Sequence, residues 1–259
     1  MSVGTTTSIV LSVAPYRESS ILTVLFSREH GRISGIAKGI RRSDRRRVPV
    51  ERGYVVEHVV YLRRHRDLQT VTDCSILEHF PLVRGDLERT AVRDLLFDVV
   101  LSSVPAGDAH PVLYDFLLRF LEELGTVGYG FEGMLTYLSG MLFTFAGQLG
   151  FGLDFTKCSV CGRDTARLKT VWLAVGQGLL RCDGCSSVKN AAGDRLLPVD
   201  VLPWYARHGG GEGTLPRIDG KTAVAAVRLA YDYCRYHLEI RKNLQSFQFV
   251  EHLAGLQRK

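Results

Sequence analysis

Residues 7–37 read TSIVLSVAPYRESSILTVLFSREHGRISGIA, three short apolar segments separated by turn residues. Segments of this kind, rich in Val, Ile, Leu and Tyr, are typical of successive β-strands. The first 80 residues contain five: Thr7–Ala14, Ser20–Ser27, Gly31–Ala37, Tyr54–Leu62 and Leu68–Leu77. Five strands in about 80 residues predict a small barrel of the OB type, a fold whose open face commonly binds single-stranded nucleic acid.

From Pro81 the apolar residues recur every three or four positions, which indicates amphipathic or buried helices. The predicted helices are Asp86–Val104, Pro111–Leu124, Phe131–Leu149, Lys221–Ile240 and Phe247–Gln257. Asp219 is the expected N-cap of the fourth. We therefore expect an α+β protein with two domains, an OB-fold barrel over residues 1–80 and a helical domain over residues 81–259.

Four cysteines form two C-x-x-C pairs with twenty residues between them: Cys158, Cys161, Cys182 and Cys185. Each pair can place two sulfurs on a tight turn, and two pairs complete the tetrahedral thiolate sphere that Zn²⁺ favours. Such soft donors leave zinc or an iron–sulfur cluster as candidates. We predict one structural Zn²⁺ in a module at about residues 155–190, with a strand-like segment, Leu168–Leu180, between the turns. A coordination sphere completed by four thiolates has no open position for a substrate.

Two other interpretations of the cysteines remain open at this stage. A pair of redox dithiols would normally accompany a βαβ pattern, which is absent here. Two disulfides would need an oxidising compartment. The remaining cysteines, Cys74 and Cys234, lie in apolar segments, and we expect both to be buried, inert thiols.

The charge of the chain is concentrated at its N-terminal end. The net charge is +6; residues 1–80 carry 13 Lys and Arg against 8 Asp and Glu, and residues 81–259 carry 20 against 19. This asymmetry indicates a polyanionic partner, either nucleic acid or an acidic protein tail. No export signal is recognisable, and the apolar stretch Phe131–Phe151 is typical of a core helix rather than a membrane span. We expect a cytoplasmic protein with reduced cysteines.

The predicted nucleic-acid contacts fall in two basic clusters of the predicted barrel. They are Lys38, Arg41, Arg42, Arg45, Arg46 and Arg47 in the first cluster, and Arg63, Arg64 and Arg66 in the second. A solvated charge run is the alternative for any single arginine, but two clusters on one small barrel favour binding to phosphates. Because few aromatic residues lie in this part of the chain, we expect salt-sensitive binding with little sequence preference.

The sequence contains no recognisable catalytic motif. Gly220-Lys221-Thr222 resembles the end of a P-loop, but the glycine required five positions earlier is replaced by Leu215, and no apolar strand precedes it. We interpret this segment as a helix N-terminus. The eight histidines form no motif with a nucleophile or carboxylate, so we predict that the protein is not an enzyme.

Three stretches resemble the bacterial RecO family of recombination mediators. SIVLSVAPYRESSILTVLF (residues 8–26) followed by GRISGIAKGIRR (residues 31–42) is similar to the opening of that family. GFGLDFTKCSVCG (residues 150–162) is similar to its passage from a helix into a zinc motif. YCRYHL (residues 233–238), with Ser246 shortly after, is similar to its C-terminal helix.

The resemblance implies an N-terminal OB fold, a helical domain carrying zinc on the four cysteines, and a non-enzymatic role in recombinational repair. It implies binding to single- and double-stranded DNA through Lys38, Arg41 and Arg42, annealing of complementary strands, and loading of RecA onto strands coated by single-strand-binding protein. RecR and the acidic tail of single-strand-binding protein are the implied partners, in the bacterial cytoplasm at the nucleoid. Where the family often has a proline after the arginine pair, this chain continues with Ser43, Asp44 and Arg45–Arg47.

Two other functions are also compatible with parts of the sequence. The first is a zinc-stabilised adaptor that binds acidic protein partners without contacting DNA. The second is a nucleic-acid-processing enzyme, which would need clustered carboxylates near the basic face. The candidates are too spread along the sequence to predict such a cluster: Asp44, Glu51, Glu57 and Asp67.

Overall fold

The computed structural model describes residues 2–16, 18, 20–37, 50–63, 66–126, 128–186, 194–208 and 215–256. The described chain is α+β, as predicted. It divides into two compact units. One comprises residues 1–93 and 104–127, and the other comprises residues 94–103 and 128–259.

The first unit contains a closed five-stranded barrel. Its strands are β1 Ser2–Tyr16, β2 Ser20–Ser27, β3 Gly31–Ala37, β4 Val55–Leu62 and β5 Gln69–Glu78. They pair in the order β1-β2-β3-β5-β4, and β1 closes the barrel by also pairing with β4. All pairs are antiparallel except β3 with β5. This arrangement confirms the predicted OB-like barrel.

The interior of the barrel is mostly apolar but contains one group of buried polar side chains. Alternation along β4 turns Val56, His58 and Val60 inward, and Val56 and Val60 belong to the apolar core. His58 instead faces a polar group formed with Thr6, Ser8 and Ser27, whose side chains are all buried. Glu29 joins this group, since its Oε2 atom accepts hydrogen bonds from Thr6 (2.6 Å) and Ser27 (3.0 Å).

Seven α-helices are present in the described part of the chain. They are α1 Pro81–Arg84, α2 Leu87–Ser103, α3 Pro111–Thr126, α4 Phe131–Gln148, α5 Leu202–His208, α6 Gly220–His237 and α7 Gln245–Leu256. The five predicted helices are α2, α3, α4, α6 and α7. None of the described helices combines the length and the apolar character that a membrane crossing requires.

Packing in the second unit centres on α4 and α6. Gly140 of α4 lets the Trp204 ring of α5 lie against the helix backbone, where a Cβ atom would come within 2.1 Å of the indole. Cys234 of α6 is fully buried, and its thiol donates to Leu142 O at 3.3 Å. Cys74, by contrast, is only half-buried on β5, so the prediction of burial holds fully for Cys234 alone.

The segment around the cysteines folds as a small three-stranded sheet, β7-β6-β8. Its strands are β6 Val171–Ala174, β7 Leu179–Cys182 and β8 Asp194–Leu197. The predicted strand-like segment Leu168–Leu180 is therefore part of a hairpin, because a short 3-10 turn, Val175–Gln177, separates β6 from β7. Gly178 closes this turn at a φ of +64°, a conformation that favours glycine.

The interpretation of Gly220-Lys221-Thr222 as a helix N-terminus is confirmed. Asp219 caps α6, and its Oδ1 atom accepts from the amides of Lys221 (2.8 Å) and Thr222 (3.0 Å). A carboxylate therefore occupies the position where a P-loop would bind phosphate.

Candidate metal centre and basic groove

The four predicted metal ligands are brought together by the β6–β7 hairpin. Cys158 and Cys161 lie on a turn before β6, closed by a hydrogen bond from Gly162 N to Cys158 O (2.9 Å). Cys182 ends β7, and the amides of Cys185 and Ser186 close the second turn by donating to its carbonyl oxygen, at 3.0 and 2.8 Å. The two turns are therefore adjacent in space although twenty residues separate them in the chain.

Three hydrogen bonds hold the two turns in position. The Ser159 amide donates to Leu180 O (2.8 Å), and the Leu180 amide donates to Ser159 Oγ (3.1 Å). The Trp172 indole donates to Asp183 Oδ1 (3.0 Å) in the second turn. Strand β7 is thereby joined to the first turn, and β6 to the second.

The sulfur positions suit a single tetrahedral metal ion. All four Sγ atoms lie within 4.8 Å of one another, and Cys161 Sγ is 3.7 Å from Cys182 Sγ. Four sulfurs at about 2.3 Å from a central zinc ion are about 3.8 Å apart. The cluster is therefore compatible with zinc, and its four cysteines could hold one metal ion.

The electrostatics of the cluster favour a cation at its centre. Burial opposes the thiolate of Cys158, but the amides of Cys161, Cys182 and Val160 donate to its sulfur and lower its pKa to about 6. Interaction with the sulfurs of Cys161 and Cys182, by contrast, raises the pKa of Cys185 to about 12. The neighbouring sulfurs thus oppose ionisation of Cys185, and a divalent cation bound among them would favour its thiolate.

A groove of about 800 Å³ on the barrel unit contains Arg63 and Arg66, two of the predicted DNA contacts. It runs between β3 and the loop from β4 to β5, and its wall also includes His30 and Arg32. Neither residue is among the DNA contacts predicted from the sequence. Alternation along β3 could have identified Arg32, since Ile33 beside it points into the core.

The groove exists because β3 and β5 pair only at one end. Their parallel register covers Gly35–Ala37 and Gln69–Val71, so no strand of the described chain pairs with the first half of β3 on that side. Ala106 bridges to Arg32 there, and Gly107 N donates to Arg32 O at 3.0 Å. The wall of the groove is therefore fixed by backbone hydrogen bonds.

The side chain of Gln69 fixes the loop that carries the arginines. Its Oε1 atom accepts from the Arg63 amide (2.8 Å), and its Nε2 atom donates to the carbonyls of Arg63 (3.2 Å) and Arg66 (2.5 Å). Both arginines are exposed at this loop. Gln69 thus orders the backbone around two cations and leaves their side chains in solvent.

Seven of the nine predicted DNA contacts lie outside the described residues, and their role stays a prediction. They are Lys38, Arg41, Arg42, Arg45, Arg46, Arg47 and Arg64. The first of them follows directly on the last residue of β3.

Comparison with protein families gives two matches that together cover most of the chain. The family model "Recombination protein O N terminal" matches residues 1–80, and "Recombination protein O C terminal" matches residues 84–245. The chain belongs to the RecO family. This membership supports a role in DNA repair and recombination.

Curated RecO proteins are similar over much of their length. "DNA repair protein RecO" of Syntrophobacter fumaroxidans is 32% identical over 184 residues, 70% of this chain and 71% of that protein. The protein of the same name from Chlorobium luteolum is 28% identical over 250 residues, 90% and 92% of the two chains. That from Pelotomaculum thermopropionicum is 27% identical over 250 residues, 94% and 92% of the two chains.

Among the described residues of this RecO-family chain, the carboxylates considered for a processing enzyme do not form a metal site. Within the described ranges, the four cysteines are the sole cluster of three or more His, Cys, Asp or Glu able to hold a metal ion. Glu51 forms an ion pair with Arg84 at 2.8 Å, and Asp67 lies in the basic groove. Asp44 lies outside the described residues.

Proposed function

We propose that this chain is a recombination mediator that binds single- and double-stranded DNA through its barrel. The observation that carries the proposal is the groove on an OB-like barrel, where Arg32, Arg63 and Arg66 lie together in a RecO-family chain. Grooves of this kind track a phosphate backbone. The basic segment at residues 38–47 extends the same charge along the chain beyond β3.

The groove suits backbone contact rather than recognition of base sequence. Among the described residues, its lining is rich in cations and has no aromatic side chain other than the imidazole of His30. Guanidinium groups bind phosphate oxygens in bidentate fashion, and neutralised phosphates release condensed counterions. Binding should therefore weaken steeply with salt and depend little on base composition.

The same positive charge would promote the annealing of complementary strands. Two complementary strands repel each other through their phosphates, and a protein that neutralises both lowers the barrier to their approach. The bases remain free to pair, because the cations contact the backbone. Loading of RecA onto strands coated by single-strand-binding protein is the further step of this role, with RecR as a protein partner and the acidic tail of single-strand-binding protein as a second one.

The proposed metal is a structural Zn²⁺ ion. Its four ligands would be Cys158, Cys161, Cys182 and Cys185. When bound, it would cross-link the two turns of the hairpin, and the complete sphere of four thiolates would exclude substrate. The protein acts without catalysis, in the cytoplasm at the nucleoid. DNA contact and metal binding then belong to different parts of the chain.

The test is the affinity of the full chain for oligo-dT across a salt series. Replacing Arg63 and Arg66 by alanine should reduce the log–log salt slope by about 1.4, since each single-strand phosphate contact contributes roughly 0.7. The matched control removes two exposed arginines from elsewhere, Arg119→Ala with Arg167→Ala, and should keep the slope.

An acidic peptide in the same assay separates the mediator from the adaptor. An adaptor that recognises only acidic protein segments would bind the peptide and leave oligo-dT free. Failure of the wild-type chain to bind oligo-dT at low salt would refute the proposed function.

A further inference from the structure

Three aromatic rings are grouped on the surface of the second unit, at the end of α6. The centroids of Tyr236 and Phe151 each lie 5.1 Å from that of His237. Tyr236 is 61% exposed and Phe151 is 38% exposed. Single exposed aromatic residues need no explanation, but a contiguous group of rings on a surface is a feature of binding sites.

Hydrogen bonds hold the His237 ring and the backbone of Phe151, and Tyr236 packs against a turn. His237 Nε2 donates to Val175 O at 2.7 Å, in the turn of the β6–β7 hairpin. The Tyr233 hydroxyl donates to Phe151 O at 3.0 Å, which fixes the backbone that carries the phenyl ring. Tyr236 lies over Gly176 of the same turn, where a Cβ atom would be 3.1 Å from its hydroxyl oxygen. The exposed faces are therefore pre-organised, so little side-chain entropy is lost when a ligand stacks on them.

The segment that follows Tyr236 and His237 in the chain carries positive charge, which complements a phosphate backbone. Helix α6 ends in a tight turn with the Ile240 amide donating to Arg235 O at 3.0 Å and Glu239 at a φ of +54°. The chain continues with Arg241 and Lys242, both exposed. Residues 235–242 carry three Lys or Arg and one acidic residue, Glu239. Cations next to exposed rings match a single strand, in which each phosphate is linked to a base with two flat faces.

We propose that Tyr236, supported by His237 and Phe151, is a stacking platform for a nucleobase of single-stranded nucleic acid. This inference rests on the proposed function and adds to it a second contact with the strand, on the helical part of the chain. The barrel groove contacts phosphates, whereas the platform binds a base. The phenol ring of Tyr236 provides the flat face, and Arg241 and Lys242 bind the adjoining phosphates.

The experiment uses the full chain and a thymine oligonucleotide that carries one 2-aminopurine, a base whose fluorescence falls on stacking. Tyr236→Ala should lower the affinity at least about fivefold, the smallest loss expected for one stacked base, and should abolish the quenching. The salt slope should stay unchanged, because no phosphate contact is removed. Tyr236→Phe keeps the ring and should restore both affinity and quenching.

The matched control is Phe249→Ala, which removes another exposed aromatic side chain, on α7, and should leave affinity and quenching intact. A measurement without any substitution supports the same point: ultraviolet cross-linking to an oligonucleotide containing 5-iodouracil should join the base to Tyr236 or Phe151, as identified by mass spectrometry. Wild-type affinity and quenching in Tyr236→Ala, with cross-links only in the barrel, would overturn the platform and leave the proposed function standing. A wild-type chain that does not bind the oligonucleotide overturns both.

Discussion

The Nε2 atom of His58 lies 2.9 Å from Ser8 Oγ inside the barrel, and neither residue is accessible to solvent. The Nδ1 atom of His58 has no hydrogen-bond partner within the part of the chain that the structure describes. Burial first, and the nearby charge of His30 second, lower the pKa of His58 from 6.5 to about 4. The folded barrel therefore holds this imidazole neutral.

The barrel should lose stability as the pH falls from 7 to 5. In the unfolded chain His58 takes up a proton near pH 6.5, whereas in the folded chain it does so near pH 4. Because the unfolded state binds the proton first, stability should fall by about 2 kcal/mol between pH 7 and pH 5. Hydrogen exchange of β1 and β4 amides reports the opening free energy of the barrel. His58→Gln should remove this part of the pH dependence, and an equal loss in both proteins would contradict the prediction.

Gly140→Ala should destabilise the second unit. The new methyl group would lie 2.1 Å from Cζ3 and 2.5 Å from Cη2 of the Trp204 ring, so α5 must shift away from α4. Overpacking of this kind costs about 1–3 kcal/mol, more than the gain in helix propensity from replacing glycine. The control is Gly255→Ala on α7, where a Cβ atom meets nothing within 4 Å. Urea unfolding followed by tryptophan fluorescence should show a lower midpoint for the first variant only.

The chain should bind one metal ion, and removing that ion should lower its thermal midpoint. The expected content is one zinc per chain, measured by elemental analysis of the purified protein. Cys182→Ser should abolish it, whereas Cys74→Ser should retain it, because Cys74 lies on the barrel outside the cluster. Chelation should reduce tryptophan-reported stability before it reduces barrel-dependent affinity for DNA. Metal bound at full occupancy in Cys182→Ser would refute the site.

Removing charge from the basic segment after β3 should weaken DNA binding in a salt-dependent way. Replacement of four arginines by alanine is the proposed variant: Arg41, Arg42, Arg45 and Arg46. If all four contact phosphates of a single strand, the log–log salt slope should fall by about 3. Annealing of complementary oligonucleotides, followed by fluorescence energy transfer, should slow in parallel. Unchanged slope and rate would show that this segment is not the DNA site.

The sequence predicted the features that depend on periodic or spaced residues. Five apolar segments predicted the barrel, and the spacing of four cysteines predicted the cluster: Cys158, Cys161, Cys182 and Cys185. Both predictions were possible because strand alternation and ligand spacing are visible in the sequence itself. Strand β8 and helix α5 were missed, since four and seven residues are too few to show a period. The role of Gln69 was also hidden, because its partners are backbone atoms of Arg63 and Arg66 that any residue would supply.

The hairpin of the cysteine cluster has a consequence for the order in which the chain folds during synthesis. Cys182 N donates to Cys158 Sγ at 3.4 Å across a separation of 24 residues, so the cluster closes over a short length of chain. Local contacts of this kind form early, and chains fold from the N-terminal side as they leave the ribosome. The cysteine cluster would therefore be able to bind a metal ion before α6, which begins at Gly220, has been made. Helix α6 would then meet a turn that is already formed, with Val175 O in place to accept a hydrogen bond from His237 Nε2.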